Sequence, residues 1–171
     1  MWLWLVLIVV LLFGLVVFRG APYVPSRRRE IEQAFKSLYP LSAKDTLVDI
    51  GSGDGIVLRV AARYGAKAIG YELNPILVGI SRLLSRNDKD VKTYFADFWR
   101  ITLPPTVTIV YTFGESRDIV KMAQKVADEA NRLNKTLYFM SYAFAVPGQT
   151  PSKTEGAYFL YRYSPLQIKK P

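Results

Sequence analysis

The sequence predicts an α/β protein with a doubly wound, mostly parallel sheet, preceded by one N-terminal transmembrane helix. Three observations lead to this fold class. Segments typical of strands and of helices alternate from residue 46 onward, as they do in chains that form parallel sheets. A glycine-rich turn at residues 51–55 follows the first of these strands. The run of residues 1–18 contains no charged side chain.

That uncharged run predicts a membrane anchor. At about 1.5 Å per residue it would extend roughly 27 Å as a helix, close to the thickness of a hydrocarbon core. Trp2 and Trp4 suit the lipid interface, and the nearby arginines all follow the run. We expect an uncleaved single-pass helix with the α/β domain on the cytoplasmic side, or in the mitochondrial inner membrane if the source is eukaryotic. A buried core helix is disfavoured because the run is apolar all round.

The segment between the anchor and the sheet, residues 19–45, predicts a linker and one helix before the core. Prolines stiffen residues 20–25, and Ser26 is a plausible N-cap for a helix over residues 27–38. Arg28 and Glu32 lie four residues apart, which is the spacing of an ion pair on one helix face. The remaining residues, 46–171, are enough for one domain with a core of its own.

Within that domain the pattern predicts six strands, at residues 46–50, 68–72, 91–95, 106–113, 136–144 and 157–163. Helices are expected over residues 54–64, from Asn74-Pro75 onward, and over residues 116–133. The second of these helices has an apolar face made of Ile76, Leu77, Ile80, Leu83 and Leu84. We expect the last strand to run antiparallel to the others.

Composition excludes several kinds of chemistry. The chain has no cysteine and no histidine, so disulfides, thiol catalysis, zinc–cysteine sites and a histidine base are all impossible, and we expect no metal. The formal net charge is +9, from 23 basic and 14 acidic residues. Such a balance is compatible with nucleic acid, but the basic residues beside the anchor have a simpler partner in anionic lipid headgroups.

The segment LVDIGSGDG, residues 47–55, predicts a ligand site. Glycine has no Cβ and tolerates positive φ, so a turn this rich in glycine lets backbone amides approach a ligand closely. The N-terminus of the helix that follows favours an anion. A nucleotide-like ligand at the carboxyl end of the first strand is therefore expected.

Two carboxylates narrow the choice of ligand. Glu72 ends the second strand, where it can accept both hydroxyls of a ribose, and Asp49 suits a ligand that carries an ammonium group. NAD sites share this arrangement, but the dinucleotide fingerprint places a third glycine or alanine where this chain has Ile56. The residues favour S-adenosylmethionine (SAM) and leave NAD, another nucleotide or an unliganded turn as alternatives.

Four features together resemble a known family: the N-terminal anchor, PYVPSRRR at residues 22–29, LVDIGSGDG, and GYELNP at residues 70–75. The chain resembles class I SAM-dependent methyltransferases, and among them the membrane-anchored lysine N-methyltransferases that modify the c-subunit of ATP synthase, with their prokaryotic relatives. The resemblance covers most of residues 1–113. It implies a Rossmann-like fold, SAM as cofactor and lysine methylation of a membrane protein.

The resemblance also implies roles for particular residues. Tyr23 and Pro25 would belong to a membrane-proximal segment needed for activity. Asp49 and the turn glycines would hold the methionine end of SAM, Glu72 the ribose, and Asp97 with Phe98 the adenine. The full set of expected cofactor-binding residues is Tyr23, Pro25, Asp49, Gly51, Ser52, Gly53, Asp54, Glu72, Leu73, Asn74, Asp97 and Phe98.

The acceptor side departs from the family pattern. Relatives usually carry a basic residue directly after the glycine turn, where this chain has Ile56, and a proline-containing segment after strand four, where it reads FGESR. Candidate catalytic residues at the end of strand four are Tyr111, Thr112 and Glu115. Glu115 could hold an incoming ammonium, or it could simply complement the dipole of the next helix.

The leading interpretation is a membrane-anchored SAM-dependent methyltransferase that modifies a lysine of a membrane protein. A lipid or quinone methyltransferase is the first alternative, because a membrane tether serves both reactions equally. A non-catalytic membrane module with a SAM-type fold is the second. Nucleic-acid methylation is less favoured because no Asn-Pro-Pro-Tyr-like tetrapeptide follows strand four.

Overall fold

The computed structural model describes residues 2–4, 6–7, 27–114 and 117–166. From residue 27 onward these residues form four helices of at least two turns and seven strands. The helices are α1 (Arg28–Ser37), α2 (Ile56–Arg63), α3 (Pro75–Leu84) and α4 (Ile119–Leu133), with a short 3-10 turn at Phe98–Arg100. The strands are β1 (Thr46–Ile50), β2 (Lys67–Glu72), β3 (Val91–Phe95), β4 (Ile109–Thr112), β5 (Leu137–Tyr142), β6 (Lys153–Glu155) and β7 (Tyr158–Tyr163).

The seven strands form one sheet in the order β3-β2-β1-β4-β5-β7-β6. Strands β1 to β5 are parallel, β7 runs antiparallel to β5, and β6 runs antiparallel to β7. The predicted doubly wound, mostly parallel α/β fold with an antiparallel last strand is confirmed. Chain order reverses at β1, which lies between β2 and β4, and this reversal opens a crevice at the carboxyl ends of those strands.

Two apolar cores lie on opposite faces of the sheet. Strand β1 is buried along its whole length, as expected for a central parallel strand. Leu47 faces the core beneath α1 and α2, whereas Val48 faces the core beneath α4. Helix α3 lies on the same face as α2, because Ser81 of α3 hydrogen-bonds to Thr93 of β3 and lies next to Gly55 at the start of α2.

The predicted number of strands was wrong, because the sheet has a seventh strand, β6. It spans only Lys153–Glu155, lies at the sheet edge and forms a hairpin with β7. Three polar residues at an edge show no apolar alternation, which is the signal that strand prediction depends on. The predicted strand over residues 106–113 is also shorter than expected, because Val107 closes a turn on Pro104 and β4 begins only at Ile109.

The apolar face of α3 points to solvent rather than into the core. Ile76, Ile80, Leu83 and Leu84 are 39% to 61% exposed. The buried face of the helix carries Val78 and Ser81 instead. The space between α3, β3 and the glycine turn is narrow, so a serine fits there and a leucine does not. An apolar stripe ordinarily indicates the buried side of a helix, and here packing against the sheet selects the small residues.

Helix α1 lies across one face of the sheet and begins at its carboxyl edge. Tyr142, the last residue of β5, donates a hydrogen bond from its hydroxyl to Glu30 in the first turn of α1, at 3.2 Å. The predicted pair of Arg28 and Glu32 forms, at 2.7 Å. The predicted N-cap, Ser26, lies outside the described residues.

None of the described helices is long and apolar enough to cross a membrane. Most of the predicted anchor, residues 1–18, lies outside the described residues.

Candidate functional site

The glycine turn after β1 forms the floor of the candidate site. Gly51, Gly53 and Gly55 have φ values of 70°, 55° and 79°, a region in which side chains other than glycine are strained. A Cβ added at Gly51 would meet no atom within 4 Å, so the backbone there faces open space. The turn therefore presents bare main chain to a ligand.

Glu72 at the end of β2 connects this turn to the next loop. One oxygen of its carboxylate accepts a hydrogen bond from the Gly53 amide at 2.9 Å, and the other accepts one from the Asn74 amide at 2.8 Å. An ionised carboxylate can accept about four hydrogen bonds. Two acceptor positions therefore remain for a ligand such as a ribose diol.

Asp49 is the most buried carboxylate of the site, with 2% of its surface exposed. No donor in the described part of the chain hydrogen-bonds to its side chain. Burial, and next the charges of Glu72 and Asp54, raise the pKa of Asp49 well above its ordinary value. A cation placed beside it would lower that pKa and restore the ionised form. The environment of Asp49 is therefore suited to a positively charged ligand group.

Ser52 and Asp54 have structural partners within the turn. The Ser52 side chain packs against Gly70 of β2 so closely that no Cβ would fit there, and its buried hydroxyl has no hydrogen-bond partner among the described residues. Asp54 accepts from the Ile56 amide at 3.1 Å and pairs with Arg59 at 3.2 Å. Both side chains fix the shape of the turn.

The other described residues expected to bind the cofactor, among them Asp97 and Phe98 for the adenine, divide into exposed and buried ones. Leu73 is exposed beside Glu72, and Asp97 is partly exposed while it accepts a hydrogen bond from the Trp99 amide at 3.0 Å. Phe98 is buried in the core beneath α4, with the Lys125 ammonium 5.0 Å from its ring centre. Asn74 caps α3 by accepting from the Ile76 amide at 3.0 Å.

Two of the three candidate catalytic residues at the end of strand four, Tyr111 and Thr112, are described and are buried. The Tyr111 ring packs against Phe35 and Tyr158, at 6.4 and 6.5 Å between ring centres. Thr112 lies against Ile50 and Met122, with its hydroxyl 3.4 Å from the Ile50 carbonyl oxygen. Both side chains are buried, and their assignment as catalytic residues stays a prediction. Glu115, Tyr23 and Pro25 lie outside the described residues.

The structure adds a group of side chains that sequence reasoning missed, which we call the aromatic–acidic cluster: Phe113, Tyr142 and Glu30. The rings of Phe113 and Tyr142 meet edge to face at 4.7 Å, and the Tyr142 hydroxyl donates to Glu30. Burial, and next the charge of Glu30, raise the pKa of Tyr142. The sequence suggested only that the aromatic residues of strand five belong to the core.

Strand register places this cluster beside the glycine turn. Ile50 of β1 pairs with Thr112 of β4, and Thr112 pairs with Ser141 of β5. The next residues along the three strands are Gly51, Phe113 and Tyr142, so they follow one another across the carboxyl edge of the sheet. Half-buried aromatic faces beside a carboxylate attract a cation.

The residues present fit SAM. The crevice joins an open glycine backbone, a buried carboxylate suited to a cation, a second carboxylate with free acceptor positions, and the exposed apolar side chain of Leu73. Their order along the crevice matches the amino acid, ribose and adenine portions of that molecule. A cation-attracting cluster lies at the other end, next to Gly51.

Comparison with known proteins identifies methyltransferases, in agreement with the fit of the site to SAM. The family model described as the ANTKMT methyltransferase domain matches residues 49–153. The ATP synthase c-subunit lysine N-methyltransferase of Rattus norvegicus is 34% identical over 138 residues, which cover 79% of this chain and 61% of that protein. The protein of the same name from Homo sapiens is 33% identical, with 79% and 57% covered. The chain thus spans about three fifths of the length of these curated relatives.

Solved structures show the same fold. An RNA methyltransferase from Salinibacter ruber, in complex with S-adenosyl-L-homocysteine, superposes with a TM-score of 0.73 at 23% identity and covers 86% of this chain and 98% of that one. The 23S rRNA methyltransferase ErmE superposes with a TM-score of 0.56 at 16% identity, covering 71% and 48%. At these identities the similarity concerns the class I methyltransferase fold alone.

Proposed function

The chain belongs to the ANTKMT methyltransferase domain family, and we propose that it is a SAM-dependent protein-lysine N-methyltransferase held at a membrane by its N-terminal segment. The observation that carries the proposal is the pair of buried carboxylates, Asp49 and Glu72, on either side of an open glycine turn. The names of the similar proteins, which include lysine N-methyltransferases, support the choice of reaction.

Four residues hold the cofactor in this proposal. Glu72 accepts from the ribose hydroxyls, Asp49 faces the ammonium, Gly51 gives its backbone room, and Leu73 covers the adenine. Bound SAM supplies a methyl group that its sulfonium has already activated. The protein then has to position an acceptor in line with that methyl group and keep water away.

The aromatic–acidic cluster supports lysine as the acceptor. A protonated lysine has no lone pair, so its ammonium must lose a proton before methyl transfer. The faces of Phe113 and Tyr142, together with Glu30, attract the ammonium into the crevice. The carboxylate and the ring faces favour the charged form, so the lysine enters as a cation and gives its proton to Glu30 or to solvent before the neutral amine attacks the methyl group. A lipid or quinone headgroup without a positive charge has no use for such a cluster.

The course of the chain supports an acceptor close to a bilayer. Helix α1 begins beside Tyr142, at the carboxyl edge of the sheet, and the N-terminal segment joins the domain at that helix. The eight residues 19–26 span at most about 26–29 Å when fully extended. If residues 1–18 cross the membrane, the start of α1 stays within that distance of the lipid. The arginines after the run favour a cytoplasmic or, in a eukaryote, a mitochondrial inner-membrane location.

The test is to find where the methyl group goes. The full-length chain is incubated with membranes and methyl-labelled SAM, and the label is then located by mass spectrometry in protein and in extracted lipid. We expect methylated lysine in a membrane protein. No label above that of Glu72→Ala would contradict an enzyme, and label confined to lipid would favour the lipid or quinone alternative. Asp128→Asn, at an exposed carboxylate of α4, is the control expected to keep full activity.

A further inference from the structure

Helix α3 carries an apolar stripe that nothing in the described structure covers. Its members are Ile76, Ile80, Leu83 and Leu84, spaced so that they share one side of the helix. Phe95 at the end of β3 extends the stripe, because it lies on the α3 side of the sheet and is 61% exposed. Scattered exposed apolar residues are normal, but a contiguous stripe of this kind marks an interaction surface.

The orientation of α3 is fixed, so the stripe cannot turn inward. The Ser81 hydroxyl lies 2.7 Å from that of Thr93, and Arg82 donates from Nε to the Thr93 carbonyl oxygen at 2.9 Å. Asn74 caps the start of the helix and is itself held by Glu72. Rolling the helix would break all of these contacts and would push a leucine into the narrow space that Ser81 fills.

A basic rim borders the stripe. Arg82 and Arg86 lie on the exposed surface of the same segment, and Lys89 follows in the turn before edge strand β3. Residues 75–87 contain no acidic side chain, and the first acidic residue after them, Asp88, accepts a hydrogen bond from the Asp90 amide. An apolar stripe with a cationic border is the pattern of a helix that lies in the interface of an anionic membrane.

We propose that α3 and Phe95 rest on the surface of an anionic lipid bilayer, with the stripe among the acyl chains and the basic rim at the headgroups. This inference rests on the membrane attachment in the proposed function and adds a second point of contact to it. A second copy of the chain suits the stripe less well, because a symmetric contact would bring the two cationic rims together.

Two attachment points give the bilayer a defined position relative to the site. Helix α1, at which the N-terminal segment joins the domain, begins at the carboxyl edge near β5, whereas the stripe lies at the opposite end of the sheet beside β3. Between these points lie Gly51 and Glu72. Glu72 is also joined through Asn74 to the start of α3. A tether alone would leave the domain free to rotate, whereas two points hold the mouth of the crevice toward the membrane.

The absence of cysteine allows a direct test with single labels in the full-length chain. Ile80→Cys, carrying a polarity-sensitive nitrobenzoxadiazole, is reconstituted in phosphatidylcholine–phosphatidylglycerol vesicles that contain spin-labelled lipid. Val120→Cys is the matched control, because Val120 is an aliphatic residue of similar exposure, 46% against 40% for Ile80, on α4 at the other face of the sheet. We expect quenching about threefold or more stronger at position 80 than at position 120.

The basic rim gives a second readout. Adding Arg86→Gln and Lys89→Gln, which leave the Arg82 contact with Thr93 in place, or replacing phosphatidylglycerol by phosphatidylcholine, should reduce quenching at position 80 while leaving position 120 unchanged. Equal quenching at the two positions overturns the proposal. So does disulfide-linked dimerisation of the unlabelled Ile80→Cys chain in vesicles without quenching, which would assign the stripe to a second copy.

Flotation of the same vesicles separates the two proposals. Protein that floats with the vesicles but shows no quenching at position 80 overturns the stripe contact and leaves the N-terminal attachment intact. Protein that does not float overturns both, beginning with the membrane attachment. In the expected case, the double variant Ile80→Ser with Leu83→Ser floats as well as the wild type and binds SAM equally, but loses the quenching of a label at position 84.

Discussion

Asp49 lowers the stability of the empty protein and prepares the site for a cation. Its pKa is raised in the folded state, mainly by burial. Between the unfolded and the folded pKa, the folded state binds more protons than the unfolded state, so the free energy of unfolding decreases as the pH rises through that window. Above its unfolded pKa, the burial of Asp49 therefore costs stability, which a cationic ligand would restore.

Asp49→Asn should consequently separate stability from binding. Without ligand, the variant should be more stable at neutral pH by about 1–2 kcal/mol, which is roughly 2–8 °C in Tm for a domain of this size. Its SAM affinity should decrease about tenfold or more, because the ammonium loses its partner. Differential scanning calorimetry and titration calorimetry measure the two effects. A destabilised variant with unchanged SAM affinity would contradict the assigned role.

Glu72 should matter for both the turn and the cofactor. Glu72→Ala removes the acceptor of the Gly53 and Asn74 amides as well as that of the ribose. Each charge-assisted hydrogen bond contributes about 1.5–3 kcal/mol, so SAM affinity should decrease by at least tenfold. Titration calorimetry against SAM, with Asp128→Asn as the control, measures this. NAD binding in place of SAM binding would contradict the cofactor assignment.

Sequence reasoning reached these two carboxylates because each lies near the end of an apolar strand, Asp49 just before the glycine-rich turn and Glu72 at the end of the next strand. It did not reach the aromatic–acidic cluster. Glu30 and Tyr142 are 112 residues apart and meet only because α1 begins above the end of β5. A contact of that kind depends on how a helix crosses a sheet, which no local pattern records.

At the scale of elements, strand prediction was best where burial is most regular. The bounds of β1 and β3 agree with the predicted residues 46–50 and 91–95. Edge strand β6 was missed because it is short and polar. The exposed face of α3 was not recognised because hydrophobic periodicity indicates which residues share a side, and not whether the sheet or solvent lies beside them. The narrow space at Ser81 decides that question.

The cap of α3 gives a prediction at the same scale. Asn74→Ala should cost about 1 kcal/mol in the free energy of unfolding, because two backbone amides lose their side-chain acceptor. Asp118→Ala is a matched control at the N-cap of α4, where the side chain makes no capping hydrogen bond. Urea denaturation should therefore show a free energy of unfolding lower by about 1 kcal/mol for Asn74→Ala. For Asp118→Ala the decrease should be at most about a few tenths of a kcal/mol. Equal losses would contradict the capping role.

At the scale of the whole molecule, the fold brings three features of the site to one edge of the sheet. The glycine turn, the aromatic–acidic cluster and the start of α1 all lie at the carboxyl ends of the parallel strands. The class of fold was predictable because alternating strands and helices leave few topologies open. The position of the start of α1 beside the crevice was not, since it depends on the direction in which α1 crosses the sheet.

The central claim is that this domain methylates a lysine near the bilayer to which residues 1–18 hold it. The decisive measurement compares methylation rates of the full-length chain and of a chain without residues 1–18, on the membrane-embedded acceptor and on a soluble peptide copy of it. Tethering by a short linker supplies an effective concentration up to about millimolar. We therefore expect equal rates on the peptide and a strongly reduced rate for the truncated chain on membranes. Equal rates on membranes, or no methyl-lysine with either chain, would contradict the account.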